Sequence, residues 1–572
     1  MSQYSRFSLL RFLLFLFLCN TISVIAQSGD NNHYTITKKV NAGNGAVVSA
    51  HPLASKIGVD ILKKGGNAVD AAIATQLALA VVYPNAGNLG GGGFMVARLS
   101  DGELLALDYR EEAPHKAHRD MYLDKAGEVE AGKSLNGHLS AGVPGTVAGL
   151  FAAAKYGKLP FKTLIQPAID LAENGFAITE REAALLNSIQ ADLKKYNTQL
   201  PVFVNDEKWK VGDVLLQKEL AKTLKRVRDK GKKGFYEGKT AQLIVEEMKR
   251  GSGIISLSDL KNYQAKFRKA HVFSYKGYAV VSMPMPSSGG TLLHQMMKMV
   301  EGRNIAAMGF QSPASVQLMT EVERRAFADR AEYMGDADFV SVPQKALVDS
   351  IYLLNRMNDY VTAKAGSSAQ VKCGQLPRKE SEETTHLSVI DKEGNAVAVT
   401  TTLNNSYGSK TVVAGAGFLL NDEMDDFSAK PGVPNLYGAV GGEANAIAPG
   451  KRMLSAMTPT IVLKSGKPFI VAGTPGGTTI PTSVFQTLMN LLEFNLSTED
   501  AVNKPKFHHQ WLPDRIDVER CFPANVRAAL QAMGYTLFER AAIGRTEVIK
   551  VLSDGTFEAV ADSRGDDGAE GY

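Results

Sequence analysis

Apolar positions recur at helical spacing over residues 54–64 and stop at Gly65-Gly66, a natural helix end. Asn67 stands as the cap of a following helix, with Asp70 at its third helical position, and the pattern runs on through an alanine-rich stretch to Val82. The alanines at 71, 72, 74, 78 and 80 permit close packing against a sheet or another helix. Further helical stretches, such as residues 315–331, alternate with short β-rich runs, so the chain mixes α and β.

A different texture fills residues 362–383, which are polar, contain Pro377, end in Lys379-Glu380-Ser381-Glu382-Glu383 and show no apolar period. They predict a long exposed loop. Directly after it Thr385–Asp391 alternates as a strand, Lys392-Glu393-Gly394-Asn395 is a turn, and residues 396–403 form a second strand. A loop therefore feeds a hairpin that begins at Thr384.

The apolar run at the N-terminus is of another kind. Arg6 and Arg11 precede Phe12-Leu13-Leu14-Phe15-Leu16-Phe17-Leu18, and Val24-Ile25-Ala26 supplies the cleavage positions, so residues 1–26 read as a secretory signal. The run is too short to span a bilayer, and no other segment approaches the ~20 apolar residues of a transmembrane helix. Bulky Leu18 argues against Cys19 as a lipid acceptor. An exported protein, periplasmic or secreted, is expected.

Composition narrows the field. With 572 residues, 22% charged and 44% hydrophobic, the chain is neither disordered, collagen-like nor a small disulfide scaffold. Length alone allows about three or four domains. The net charge is +5, two of those positive charges lying in the signal, and such a balance leaves no footprint for nucleic acid. Beyond the signal only Cys373 and Cys521 remain, and they read as unpaired thiols.

Several tempting motifs carry no cofactor. Gly90-Gly91-Gly92-Gly93 lacks the third glycine of a dinucleotide loop and reads as a turn with close backbone approach. Ser287-Ser288-Gly289-Gly290 lacks a hydrolase elbow and reads as a turn leading into a helix. His115 with His118, and His508 with His509, lack zinc-site spacing, so neither a metal nor a cofactor is expected.

Thr384 is more informative. Were the Glu383–Thr384 bond cut, one residue would carry both a nucleophilic hydroxyl and an α-amine, whose usual pKa of about 8 suits a general base. Pro475-Gly476-Gly477-Thr478, after the apolar run at 469–472, offers unobstructed amides for an oxyanion. Asn421-Asp422-Glu423-Met424-Asp425-Asp426-Phe427 interleaves four acids with apolar Met424 and Phe427, which makes it a candidate cation pocket.

Taken as a set, these residues resemble the γ-glutamyltranspeptidase (glutathione hydrolase) family. The likeness rests on Thr384-Thr385-His386-Leu387-Ser388-Val389, Met424-Asp425-Asp426-Phe427, Pro431-Gly432-Val433-Pro434-Asn435 and Pro475-Gly476-Gly477. It extends to Gly65-Gly66-Asn67-Ala68, Asn88-Leu89-Gly90-Gly91, Asp108-Tyr109-Arg110-Glu111 and Phe507-His508-His509-Gln510-Trp511. The resemblance implies an N-terminal-nucleophile hydrolase fold, an α+β four-layer αββα sandwich forming one body. It also implies a zymogen cut by its own threonine into a large subunit, residues 27–383, and a small subunit, residues 384–572, which stay together as a heterodimer.

Position by position, the resemblance implies that Thr384 is the nucleophile and Thr402 orients it, with Gly476 and Gly477 forming the oxyanion hole. Arg110 and Ser455 would bind the substrate α-carboxylate, Glu423 and Asp426 its ammonium, with Asn404 contributing an amide and Tyr437 the tip of a covering lid. The implied reaction transfers the γ-glutamyl group of glutathione and related compounds to water or to amino acid and dipeptide acceptors. Many relatives carry two adjacent serines where this chain has Ser455-Ala456, so one hydroxyl donor is missing and weaker glutamyl binding is expected. A cephalosporin or glutaryl acylase of the same superfamily is the alternative, and the pair Glu423 and Asp426 argues against it. An exported binding protein that is cut but inactive is disfavoured by intact Thr384, Thr402 and the glycine pair.

Overall fold

Asn67 and Asp70 form the reciprocal cap that their spacing predicts. The Asn67 side chain accepts the Asp70 N–H at 3.0 Å, and Asp70 accepts the Asn67 N–H at 3.0 Å. The helix they start, Ala68–Val82, is buried along its whole length and packs on the helix Pro52–Lys63. The computed structural model describes residues 34–374, 385–430, 432, 433, 435, 438 and 442–572. The expected signal, the Glu383–Thr384 bond and Tyr437 lie outside them.

Two seven-stranded sheets organise the chain. The first runs, in spatial order, Lys39–Ala42, Phe557–Val560, Glu547–Val551, Lys467–Gly473, Thr460–Lys464, Tyr278–Ser282 and His271–Tyr275. The second runs Gly568–Gly571, Gly45–Ser49, Thr385–Asp391, Ala396–Thr402, Gly92–Arg98, Leu104–Asp108 and Lys266–Arg268. Every neighbouring pair within both is antiparallel. The expected hairpin is present, with Leu387 opposite Val399 and Val389 opposite Val397.

Strand alternation sorts the core into layers. Ala46, Val48, Phe94, Val96, Ala398 and Ile390 of the second sheet meet Val281, Ile461, Val471 and Ile549 of the first in an apolar layer between the sheets. The opposite face of the second sheet, with Val47, Met95, Leu387 and Val399, is covered by helices that include Ala68–Val82 and Phe161–Asn174. The opposite face of the first, with Val280, Ile470 and Val548, is covered by Gly289–Glu301, Pro313–Tyr333 and Thr479–Leu492. The result is the four-layer αββα sandwich, one body rather than the three or four domains that length alone would allow.

The segment read as a long exposed loop is only partly so. Within its described part, residues 362–374, Ser368 and Val371 are buried. The Trp511 indole donates to the carbonyls of Ser368 and Val371 at 3.1 and 2.8 Å, and the Ser368 N–H donates to Asp514 at 2.8 Å. Those contacts come from far along the chain, which no local pattern encodes. Cys373 and Cys521 are both free thiols. Among the described residues no helix is long and apolar enough to cross a membrane.

Candidate active site

Arg110 follows the strand Leu104–Asp108, and its main chain is fixed on both sides. Asp108 accepts its N–H at 3.0 Å, and the Tyr263 hydroxyl donates to its carbonyl at 2.7 Å. The side chain is wholly buried. Nη1 lies 2.5 Å from Glu423 Oε2 and 3.6 Å from Glu111 Oε2, Nη2 pairs with Asp426, and Nε donates to the Met453 carbonyl at 3.3 Å. The resemblance assigns Arg110 and the two acids to opposite ends of a glutamyl group. The structure instead joins them in one cluster, as expected of buried charges, which must pair.

Burial and opposite charge pull against each other in this cluster. Burial alone would lower the Arg110 pKa, but Glu423, Asp426 and Glu111 outweigh it and hold the guanidinium protonated. Burial, with Glu423 adding to it, pushes Glu111 well above the usual carboxylate range. Burial also raises Glu423, against the pull of Arg110.

Local packing aims the acids. Glu423–Asp426 form a 3₁₀ turn whose Met424 sinks, with Phe427, into an apolar cluster of Ala113, Tyr122, Ile447 and Met453. Two asparagines, to which the sequence reading gave no role, hold this turn. The Asn421 side chain accepts the N–H groups of Gly142 at 2.8 Å and Glu423 at 3.1 Å, and donates to the Gly90 carbonyl at 2.8 Å. Asn445 donates to the Asp426 carbonyl at 2.6 Å and accepts the Leu454 N–H at 3.1 Å, joining the acidic turn to the segment that carries Ser455. Asn421 heads the acidic run and was visible in it; Asn445 stands in a stretch without pattern.

Thr402 ends the strand Ala396–Thr402, on the same side as Ala398, and its hydroxyl accepts the Asn404 N–H at 2.6 Å. Asn404 is left-handed, with φ 71°, a conformation that asparagine tolerates better than most residues. The run at 90–93 explains itself here: a Cβ on Gly91 would lie 2.0 Å from the Thr402 carbonyl, and one on Gly92 would meet Glu111. The close backbone approach is thus to the site itself.

Ser455 is braced by the turn at 287–290, which does lead into the helix Gly289–Glu301. Its carbonyl accepts the Ser288 N–H at 2.6 Å and hydroxyl at 2.8 Å, its N–H donates to Pro286 at 2.8 Å, and its hydroxyl accepts the Met457 N–H at 3.1 Å. Ala456 beside it is fully buried.

Gly476 and Gly477 take φ of 133° and 64° just before the helix Thr479–Leu492. The Gly476 carbonyl accepts the Thr479 N–H at 3.2 Å, so it turns into the helix. The Gly477 N–H, on the opposite side of the same peptide plane, therefore points out of the positive end. A Cβ on Gly473, at the end of the preceding strand, would touch the His386 ring, which places this turn beside the start of Thr385–Asp391. His386 is buried and bonded at 3.0 Å by both Thr400 and Ser388, and burial lowers its pKa to about 3, so it is neutral. His508 is likewise engaged, by Thr482 at 2.9 Å and Gln510 at 2.9 Å. Thr384 and Tyr437 fall outside the described residues.

Chemically, the described part of the site offers a fixed cation, two acids beside it, a hydroxyl at a strand end and outward amides at a helix start. Comparisons with known proteins supply the family. Residues 54–572 match the model of the Gamma-glutamyltranspeptidase family. The chain is 46% identical over 544 residues to a glutathione hydrolase proenzyme of Escherichia coli K12, covering 93% of each. The structure resembles a cephalosporin acylase from Bacillus halodurans, at 25% identity and TM-score 0.82, over 94% of this chain and 98% of that one. It also resembles the Helicobacter pylori gamma-glutamyltranspeptidase, at 44% identity and TM-score 0.56, over 60% of this chain and 98% of that one. With the motifs in order and the match running to the last residue, this chain belongs to the gamma-glutamyltranspeptidase family.

Proposed function

We propose that Thr384 is the nucleophile of this enzyme and that cleavage at Glu383–Thr384 creates it. The enzyme cleaves γ-glutamyl amides such as glutathione and passes the γ-glutamyl group to water or to an amine. In the proposed cycle the Thr384 hydroxyl attacks the γ-carbonyl and its own α-amine takes the proton. The tetrahedral oxyanion is met by the Gly476–Gly477 amides, and the amine of cysteinylglycine leaves. Water or the amine of an amino acid or dipeptide then opens the threonyl ester.

The observation that carries this reading is the Arg110 cluster. A γ-glutamyl group brings one carboxylate and one ammonium, and these can exchange into the Arg110–Glu423–Asp426 ion pairs without changing the buried net charge. The guanidinium fork takes the carboxylate, with the Ser455 hydroxyl, and the two acids take the ammonium. Asn404 adds an amide and Thr402 holds the nucleophile. Tyr437 is the proposed lid tip. A glutaryl acylase substrate lacks the ammonium and would leave Glu423 and Asp426 facing Arg110 alone. Export of residues 27–572, and a heterodimer of residues 27–383 with 384–572, belong to the same proposal.

A denaturing gel with N-terminal sequencing of the smaller fragment tests it. Two fragments, the smaller beginning at Thr384, are expected, and Thr384→Ala should abolish both cleavage and turnover. An uncut but active chain, or a fragment starting elsewhere, overturns the assignment.

A further inference from the structure

Between the strand end that carries Thr402 and the turn that carries Glu423 stands one residue that touches both. The Asp422 N–H donates to the Leu403 carbonyl at 3.0 Å. The Asp422 carbonyl accepts the Asn404 side-chain amide at 3.0 Å and the Asp425 N–H at 3.2 Å. Its carboxylate Oδ1 accepts the Asn405 N–H at 2.9 Å. Three consecutive residues, 403 to 405, are thus tied to a single residue that directly precedes Glu423.

The loop held in this way turns tightly. Asn404, Tyr407 and Lys410 take positive φ of 71°, 60° and 64°, so three of its seven residues occupy a sparsely populated region, and Gly408 joins them at 53°. A Cβ on Gly408 would lie 2.2 Å from the Leu420 carbonyl, so this loop lies against the segment leading to Asp422. Asp422 is fully buried. Lys410 is also buried, and its ammonium donates to the Gly408 carbonyl at 2.5 Å.

We propose that Asp422 is a positioning residue that locks Thr402–Asn405 to the Glu423–Asp426 turn, so that the groups holding the nucleophile and those binding the substrate ammonium keep one fixed relation. Asp422 itself touches no substrate. Its carboxylate acts through the Asn405 N–H, and its main chain acts through Leu403, Asn404 and Asp425. The inference rests on the γ-glutamyl reading of the site.

The test compares Asp422→Ala with Asp422→Asn, which keeps an acceptor oxygen for Asn405. Turnover of a γ-glutamyl anilide is measured beside that of the glutaryl anilide, which lacks the ammonium. Asp422→Ala should raise KM and lower kcat for the γ-glutamyl substrate, with kcat/KM falling roughly tenfold or more, as for loss of a hydrogen bond to a charged group. The glutaryl substrate should lose less. Asp422→Asn should recover most of the loss.

Equal losses on both substrates, or Asn no better than Ala, would overturn the positioning role and leave a purely structural one. Should the Ala variant fail to fold, the Asn variant alone decides: kcat/KM for the γ-glutamyl substrate within a fewfold of wild type is expected, and a loss of roughly tenfold or more overturns the proposal. Wild-type protein that cleaves neither anilide would remove the functional reading itself, and this inference with it.

Discussion

Arg110 and Arg452 are neighbours in space, equally buried and equally charged, the first facing three carboxylates and the second two, and they are built differently. Arg452 Nη1 meets Asp108 at 2.6 Å and Nη2 meets Glu112 at 2.8 Å. Its remaining donors reach the Asp108 and Gln264 carbonyls at 3.1 and 2.6 Å, and Nε reaches Glu112 at 3.1 Å. Every nitrogen of that guanidinium has a hydrogen-bond partner. Arg110 Nη1 has Glu423 at 2.5 Å, but Glu111 stands 3.6 Å away and neither of its oxygens has a hydrogen bond, so this cluster is not fully paired. A saturated buried charge is scaffold, whereas an undersaturated one retains bonding capacity for a ligand.

The largest expected effect falls on the saturated partner. Arg452→Met strips Glu112 of its ion pair and leaves Asp108 with Arg268 alone, and should cost about 3–5 kcal/mol of stability, read as a large drop in melting temperature. A variant as stable as wild type would break the contrast. Arg110→Lys should act on function instead: kcat/KM for a γ-glutamyl substrate should fall about 100-fold, with little change in melting, because an ammonium cannot reproduce the forked contact. A loss of stability matching that of the Arg452 variant would place Arg110 with the scaffold.

The smallest effect sharpens the undersaturated side. Ala456→Ser adds a hydroxyl beside Ser455 and should lower KM by about two- to tenfold, the worth of one neutral hydrogen bond. An unchanged or raised KM would mean that Ser455 and Arg110 already satisfy the carboxylate.

Local chemistry made part of this legible in the sequence. The Asn67–Asp70 cap and the hairpin of Thr385–Asp391 with Ala396–Thr402 are short-range patterns, and the structure has both. The acidic run at 421–426 was visible, and so were the apolar residues that bury it. The contact of Arg110 with Glu423 and Asp426 was not, because it joins positions more than 300 residues apart. Nor was the burial of Ser368 and Val371 under Trp511, which depends on partners late in the chain.

The strand order carries one more consequence. In the second sheet, Thr385–Asp391 and Ala396–Thr402 lie between Gly45–Ser49 and Gly92–Arg98, so segments from either side of residue 384 interdigitate. A chain cut at Glu383–Thr384 would keep every one of these ladders, but its folding would no longer be a first-order event. Two fragments that came apart would have to find each other again at a rate set by their concentration, and in dilute solution that return would be slow. Activation by cleavage would therefore make the enzyme's working lifetime a matter of its unfolding barrier rather than of an equilibrium.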